Sequence, residues 1–205
     1  MRIDAVTLRG VLVRLEPLAE EHVPGLAIAA EQDRSAYDFT RVPRAGETAA
    51  FVRFLQAREG LTPFAQVRQS DGAPVGCTSY GKPRTRPDNG ALFAVEIGWT
   101  WLAGSAQRTG INSEAKLLLM THAFENLGVA RVDLLTDSRN QRSRQAIANI
   151  GATFEGVLRN WGPSWAPGEE GGLRDSAVFS VTDGEWPQVK SGLTARIRGR
   201  AAPAG

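Results

Sequence analysis

The chain has 205 residues, 42% of them hydrophobic, with 24 basic and 22 acidic side chains and a formal net charge of +2. That length fits one domain with its own core, and the small charge excludes a polycationic nucleic-acid binder, while a pI near 9.0 leaves room for an anionic small molecule. A single cysteine, Cys77, excludes an internal disulfide framework, the two histidines lack metal-ligand spacing, and no apolar run approaches the roughly 20 residues that cross a bilayer. The N-terminus also lacks the basic and apolar segments of a signal peptide, so a cytoplasmic, metal-free protein is expected.

Residues 11–17, VLVRLEP, alternate as a strand does, and LAEEHVPGLAIAAEQ (18–32) follows as a helix interrupted or ended near Pro24-Gly25. A second helix is expected at 46–58, with Ala49, Val52, Phe54 and Leu55 on one face. The pattern then becomes β-like at 64–69, 73–81 and 91–102, the first two joined by an Asp71-Gly72 turn that suits a hairpin. Helical spacing returns over 113–127, where Leu117, Met120, Phe124 and Leu127 share a side and Gly128 supplies a stop. A strand at 131–137 precedes a helix over 141–150, which Asn140 can cap and Gly151 ends. Strands at 153–161 and 173–182 flank a loop rich in Pro, Gly and Trp, and Trp186, Val189, Leu193 and Ile197 mark an amphipathic helix over 184–197. The order β-α-α-β-β-β-α-β-α-β-β is that of a mixed α/β fold without internal repeats. The basic, Ala/Gly-rich end from 190, closing in RGRAAPAG, reads as a flexible terminus.

The stretch GSAQRTGINSEAK (104–116) passes from small and polar residues directly into the long helix. Backbone N–H groups at a helix start lack an intrahelical partner and, together with the macrodipole, favour a phosphate. The turn Gln107-Arg108-Thr109-Gly110-Ile111-Asn112 is therefore a candidate anion seat.

These residues resemble the GCN5-related N-acetyltransferases (GNAT), and within them the branch of the ribosomal-protein N-terminal acetyltransferases. The family's cofactor loop reads Gln/Arg-x-x-Gly-x-Gly/Ala, matched by 107–112 except that Asn112 replaces the small final residue. Four further features agree: EIGWTWL (96–102) before the loop, the long helix after it, DSRNQRS (137–143) beyond the next strand, and then IGATFEGVLRN (150–160). By element order the resemblance spans about 7–187. It implies a single acyltransferase domain over 1–187, with 188–205 as a basic helix end and tail. It implies a central, twisted, mostly antiparallel sheet with helices on both faces, in which strand 95–102 splays from strand 131–137. Acetyl-CoA, or another acyl-CoA, is the implied cofactor, its pyrophosphate on the N–H groups of 108–112 and Arg108 adding charge. Backbone groups of Trp99, Thr100, Trp101 and Leu102 would then be free to bond the pantetheine and polarise the thioester carbonyl. Gln107, Arg108, Thr109, Gly110, Ile111 and Asn112, with Asn140 and Arg142, complete the implied cofactor set.

An amine is protonated at neutral pH and must lose a proton before attacking a thioester, so Glu96 is the candidate base, directly or through water. A solvated strand carboxylate fits the same position. Asn140 and Ser143 share the Asn-x-x-Ser spacing of the ribosomal-protein acetyltransferases, where the serine is thought to protonate the departing thiolate and the asparagine to contact the cofactor. The first turn of a helix stabilises a developing sulfur anion, although a plain cap at Asn140 and a filler at Ser143 match the pattern equally. Arg139, Arg142 and Arg144 suit either the nucleotide phosphate of CoA or a solvated helix face. Strict alternation places Val95, Ile97, Trp99 and Trp101 on one face and Glu96, Gly98 and Thr100 on the other, where the tryptophans also suit plain core packing. Cys77 reads as packing, and His22 and His122 as surface or edge residues.

The segments 36–43 and 159–175 lie where the family builds its acceptor cleft. Phe39, Glu96 and Trp161 are the implied substrate contacts, and Trp165, Glu169 and Glu170 would give a cationic amine an aromatic, acidic mouth; a hairpin loop without a ligand is the alternative. The expected activity is acetyl transfer by direct attack of a primary amine, either a protein N-terminal α-amine or a small amine such as an antibiotic or polyamine. A homodimer using no nucleic acid, membrane or metal is expected. The rival readings are a non-catalytic acyl-CoA sensor and an interaction module built on the basic segment KSGLTARIRGR (190–200).

Overall fold

The computed structural model describes residues 3–201. Its centre is one eight-stranded sheet formed by β1 (Leu8–Arg9), β2 (Val13–Pro17), β3 (Thr62–Arg68), β4 (Pro74–Thr85), β5 (Leu92–Leu102), β6 (Arg131–Asp137), β7 (Thr153–Pro163) and β8 (Leu173–Thr182). The spatial order is β1-β2-β3-β4-β5-β6-β8-β7, antiparallel throughout except for the parallel pair β5–β6. Five α-helices accompany it: α1 (Val23–Ala30), α2 (Thr48–Ala57), α3 (Ile111–Thr121), α4 (Gln141–Ala148) and α5 (Trp186–Ala201).

The expected elements form, with differences that have local causes. Pro24 opens α1 rather than ending a helix, because proline in the first turn removes only an N–H that has no intrahelical partner. Residues 20–22 before it are a 3-10 turn whose His22 is buried, not superficial, with Nε2 2.9 Å from Glu16. Glu16, Glu21 and His22 bring potential ligand atoms within 4.8 Å of one another. β3 and β4 close over the Asp71-Gly72 turn, with the Ala73 N–H and the Arg68 guanidinium both donating to Asp71. That Arg68 contact holds the Asp71 carboxyl down at about 2.

Strand pairing sorts the two faces of the sheet. The Tyr80 hydroxyl donates to the Leu119 carbonyl of α3, so even-numbered residues of this part of β4 face α3. Cys77 and Ser79 face the opposite layer, which holds α1, α2 and the segment between them. The Glu114 carboxylate, on the first turn of α3, accepts from the Val11, Leu12 and Val13 N–H groups at 2.9, 2.6 and 2.8 Å and so ties the start of β2 to the helix.

α3 continues into a π-helical stretch, His122–Asn126. Its Glu125 receives the Trp186 indole N–H at 2.7 Å and Lys190 Nζ at 2.7 Å, while Phe124 stacks on Trp186 at 5.2 Å. α5 therefore docks on α3 across the expected boundary at 187, burying Val189, Leu193 and Ile197. Residues 198–201, read as tail, belong to this helix, and 202–205 lie outside the described residues. No helix among the described residues is long and apolar enough to cross a membrane.

Candidate active site

β5 and β6 share three paired positions, Ala94↔Arg131, Val95↔Val132 and Glu96↔Asp133, and then part. Against β4, Gly98 pairs with Ser79 and Trp101 with Cys77, so Trp99 and Thr100 together oppose Thr78. This is a β-bulge, and Trp99 takes a left-handed conformation with φ 52, which costs a bulky residue about 1 kcal/mol or more. The extra residue reverses the side-chain phase. Thr100 turns toward α3 and meets Thr78 Oγ1 at 2.9 Å and Lys116 Nζ at 2.7 Å. Trp99 and Trp101 turn to the other face, Trp101 edge-on to Tyr37 at 6.1 Å and Trp99 against Phe54 at 5.8 Å and Trp165 at 6.3 Å. The strict alternation expected from sequence is corrected here: Trp99 and Trp101 join Glu96 and Gly98, and Thr100 joins Val95 and Ile97.

The turn after β5 has two left-handed residues, Arg108 (φ 62) and Gly110 (φ 99). Gly110 is the N-cap of α3, has no side chain of its own to cap the helix, and sits at a φ where a Cβ would be strained. The first α3 bond runs from the Glu114 N–H to the Gly110 carbonyl at 3.0 Å, so the helix itself does not use the N–H groups ahead of it. Thr109 Oγ1 braces the turn by donating to the Ala106 carbonyl at 2.7 Å and accepting the Ile111 N–H at 3.4 Å, which leaves the Asn112 and Ser113 N–H groups ahead of the first helical bond. Asn112 lies in the first turn, its Oδ1 buried without a hydrogen-bond partner. A helix start behind a left-handed glycine, beside a strand that has parted from its neighbour, fits the phosphate and pantetheine portions of an acyl-CoA.

Not every expected cofactor contact is open. The Leu102 carbonyl accepts the Tyr37 hydroxyl at 2.9 Å and Gln107 Nε2 at 3.1 Å, and the Trp101 carbonyl accepts Gln66 Nε2 at 3.2 Å. Gln107 Oε1 in turn receives Arg142 Nη1 at 3.2 Å, and Arg142 Nη2 donates to the Ala36 carbonyl at 3.0 Å. Gln107 and Arg142 are thus brought together, bonded to each other. Asn140 Oδ1 accepts the Ser143 N–H at 3.0 Å and caps α4. Arg139 pairs with Asp137 and Glu169, and Arg144 donates to the Ser138 carbonyl.

On the acceptor side, Glu96 is 15% exposed and pairs through Oε2 with Lys82 Nζ at 2.7 Å; Lys82 lies 5.7 Å from the Trp161 ring. Phe39 sits instead against Arg139, at 5.2 Å. Glu169, expected to help form an acidic mouth, is engaged by Arg139 at 2.6 Å and by the Ser164 hydroxyl at 2.6 Å, contacts that hold its carboxyl at about 2. Two cations outside the expected set pack on the aromatic residues of this side. Arg41 and Arg58 lie on the rings of Phe54, Trp99 and Trp165. Lys116 was also missed: it is buried, and desolvation pulls its pKa from 10.5 to about 7. Its one sequence signal is a charged residue inside the apolar run AKLLLM. Cys77 is fully buried, which pushes its thiol pKa up.

The family model described as "Acetyltransferase (GNAT) domain" matches residues 13–153. A GCN5-related N-acetyltransferase from Brucella melitensis is 28% identical, with 98% of this chain and 87% of that one covered and a TM-score of 0.83. A crystal structure from T. thermophilus described as an acetyltransferase is 34% identical over 96% of this chain and 100% of that one, with a TM-score of 0.79. Mycobacterium smegmatis RimJ, solved in complex with CoA-disulfide, is 22% identical with a TM-score of 0.73, covering 95% of this chain and 94% of that one. No curated protein matches the sequence. With the family match spanning most of the chain and the parted strands and the glycine-led helix start in place, the protein belongs to the GNAT acetyltransferases, which move an acetyl group from acetyl-CoA to an amine.

Proposed function

We propose that the acceptor is a polypeptide N-terminus, attacked directly at its α-amine. The observation that carries this reading is that β5 and β6 stop pairing beyond Glu96, where the bulged end of β5 sets Trp99 against Trp165 and the chain runs on into the Gly110 turn. Bound acetyl-CoA supplies an activated thioester carbonyl. The chain's own groups then have four tasks. N–H groups at the start of α3 hold the diphosphate, and the β5 backbone at the bulge orients and polarises the carbonyl oxygen. Glu96, directly or through water, takes the proton that the attacking nitrogen must lose. Ser143, in the first turn of α4, gives a proton to the sulfur as the C–S bond breaks and the C–N bond forms, aided by the positive end of the helix. Holding both reactants in one cleft supplies much of the rate. The Asn140-x-x-Ser143 spacing shared with ribosomal-protein N-terminal acetyltransferases supports a protein substrate, with Asn140 shaping the turn that presents Ser143.

We also infer a cytoplasmic homodimer acting without nucleic acid, membrane or metal. β7 is an edge strand whose Phe154, Val157, Leu158 and Trp161 are exposed, and such an apolar edge suits a second copy. Sedimentation at micromolar concentration tests it; a monomer at all concentrations removes the dimer.

The deciding experiment for the activity mixes the protein with acetyl-CoA and a panel of peptides with free N-termini. Release of CoA thiol together with acetylated peptide is expected. The Glu96→Gln variant should lose about 10²-fold in kcat. Tight CoA binding without thiol release from any amine identifies a sensor instead.

A further inference from the structure

The acceptor side carries cations where a mouth for a polyamine or aminoglycoside needs free carboxylates. Arg41 lies 4.4 Å from the ring centre of Phe54 and 5.2 Å from that of Trp165. Arg58 lies 5.8 Å from Phe54 and 5.4 Å from Trp99, the bulge residue itself. Aromatic faces orient a guanidinium without neutralising it or consuming its in-plane N–H donors. Neither arginine is within ion-pair distance of a carboxylate among the described residues. Two of the acids on this side are already engaged, Glu96 by Lys82 at 2.7 Å and Glu169 by Arg139 at 2.6 Å.

Beyond Trp165 the surface opens into a cleft of about 350 Å³ lined by Arg34, Arg41 and Arg44, with Asp38 its only acid. Arg34 binds the backbone carbonyls of Ala30, Val42 and Pro43 and keeps its charge, whereas Arg44 is paired with Glu31. The cleft is therefore positive, and it begins one ring further out than the bulge where the amine reacts. An extended peptide advances about 3.3–3.6 Å per residue, so side chains of its second to fourth residues reach this far. The carboxylate of a free amino acid, one carbon from its amine, does not.

Resting on the acetyltransferase reading above, we propose that the preferred acceptor is a peptide N-terminus with acidic side chains at its second to fourth residues, which lie against Arg41 and Arg58 while the α-amine reaches the bulge. Charge complementarity of this kind sets partner choice by attracting the right chain and repelling polycations.

The test compares acetyl-CoA-dependent thiol release on three peptides that share an N-terminal alanine and differ only in carrying aspartate, alanine or lysine at the next three positions. Free aspartate and spermidine are run alongside. The expected kcat/KM on the aspartate peptide exceeds that on the lysine peptide by about tenfold or more, and the advantage shrinks in about 0.5 M salt. In the Arg41→Gln/Arg58→Gln variant the ratio falls toward one, with CoA affinity by calorimetry unchanged. The single exposed substitution Arg41→Glu turns the preference toward lysine. Equal rates on the three peptides, a faster lysine peptide or spermidine, or free aspartate as the best acceptor overturns this inference and leaves acetyl transfer standing. Absence of thiol release with every amine, from protein that binds CoA, removes both.

Discussion

Lys116 Nζ lies 2.7 Å from Thr100 Oγ1 and 3.3 Å from Thr78 Oγ1, buried between α3 and the bulged part of β5. The ammonium has two hydroxyl acceptors and no carboxylate partner among the described residues, so burial is uncompensated and depresses its pKa to about 7 from 10.5. Between those values the unfolded chain binds the proton that the folded chain has lost, so stability rises with pH across about 7 to 10. Below about 7 both states are protonated and the penalty is constant. The upper limit of the slope is about 1.4 kcal/mol per pH unit. Urea unfolding of wild type and Lys116→Met at several pH values should show the wild type gaining on the variant as pH rises. A difference independent of pH would show that the amine is not neutralised in the fold.

Glu114 is expected to matter for stability more than its position beside the cofactor turn suggests. Glu114→Ala leaves the Val11, Leu12 and Val13 N–H groups without their acceptor, at a cost of about 3 kcal/mol or more. Glu114→Gln keeps one acceptor oxygen and should lose roughly half as much. Guanidinium midpoints decide it, and equal midpoints for wild type and Glu114→Ala would refute the tie.

Ser143 and Asn140 separate chemistry from capping. The bond that closes the α4 cap uses the Ser143 backbone N–H, which alanine retains. Ser143→Ala should therefore keep its melting temperature and CoA affinity while kcat falls about 10–100-fold. Asn140→Ala should instead lose about 1 kcal/mol of stability. Unchanged turnover in Ser143→Ala would remove the serine from the reaction.

Gly110→Val tests the diphosphate seat. At φ 99 a β-branched residue is strained, so the start of α3 must shift and its N–H groups lose their aim. Calorimetry should find CoA binding weakened by about 10²-fold or more, with most of the fold retained by circular dichroism. Unaltered binding would place the cofactor elsewhere.

The hairpin at Asp71-Gly72 and the strand at 131–137 were legible in the sequence because each rests on neighbours along the chain. The start of α3 was read two residues late, because its cap is a left-handed glycine and not a capping side chain. The Trp99 bulge was hidden for a different reason. Val95, Ile97, Trp99 and Trp101 alternate perfectly as letters, and only pairing with β4 reveals that one residue is extra. The acceptor wall draws Arg41, Phe54, Arg58, Trp99 and Trp165 from four separate segments, so no local pattern announces it. Glu169 looked available because its partner Arg139 lies thirty residues away.

The hydrogen-bonded run Tyr37–Leu102–Gln107–Arg142–Ala36 joins the stretch after α1, the end of β5, the cofactor turn and α4. These four segments consequently share one brace. Removal of the Arg142 guanidinium would cut this brace between Gln107 and Ala36, so the stretch after α1 and the turn before α3 would no longer be held to one another through it.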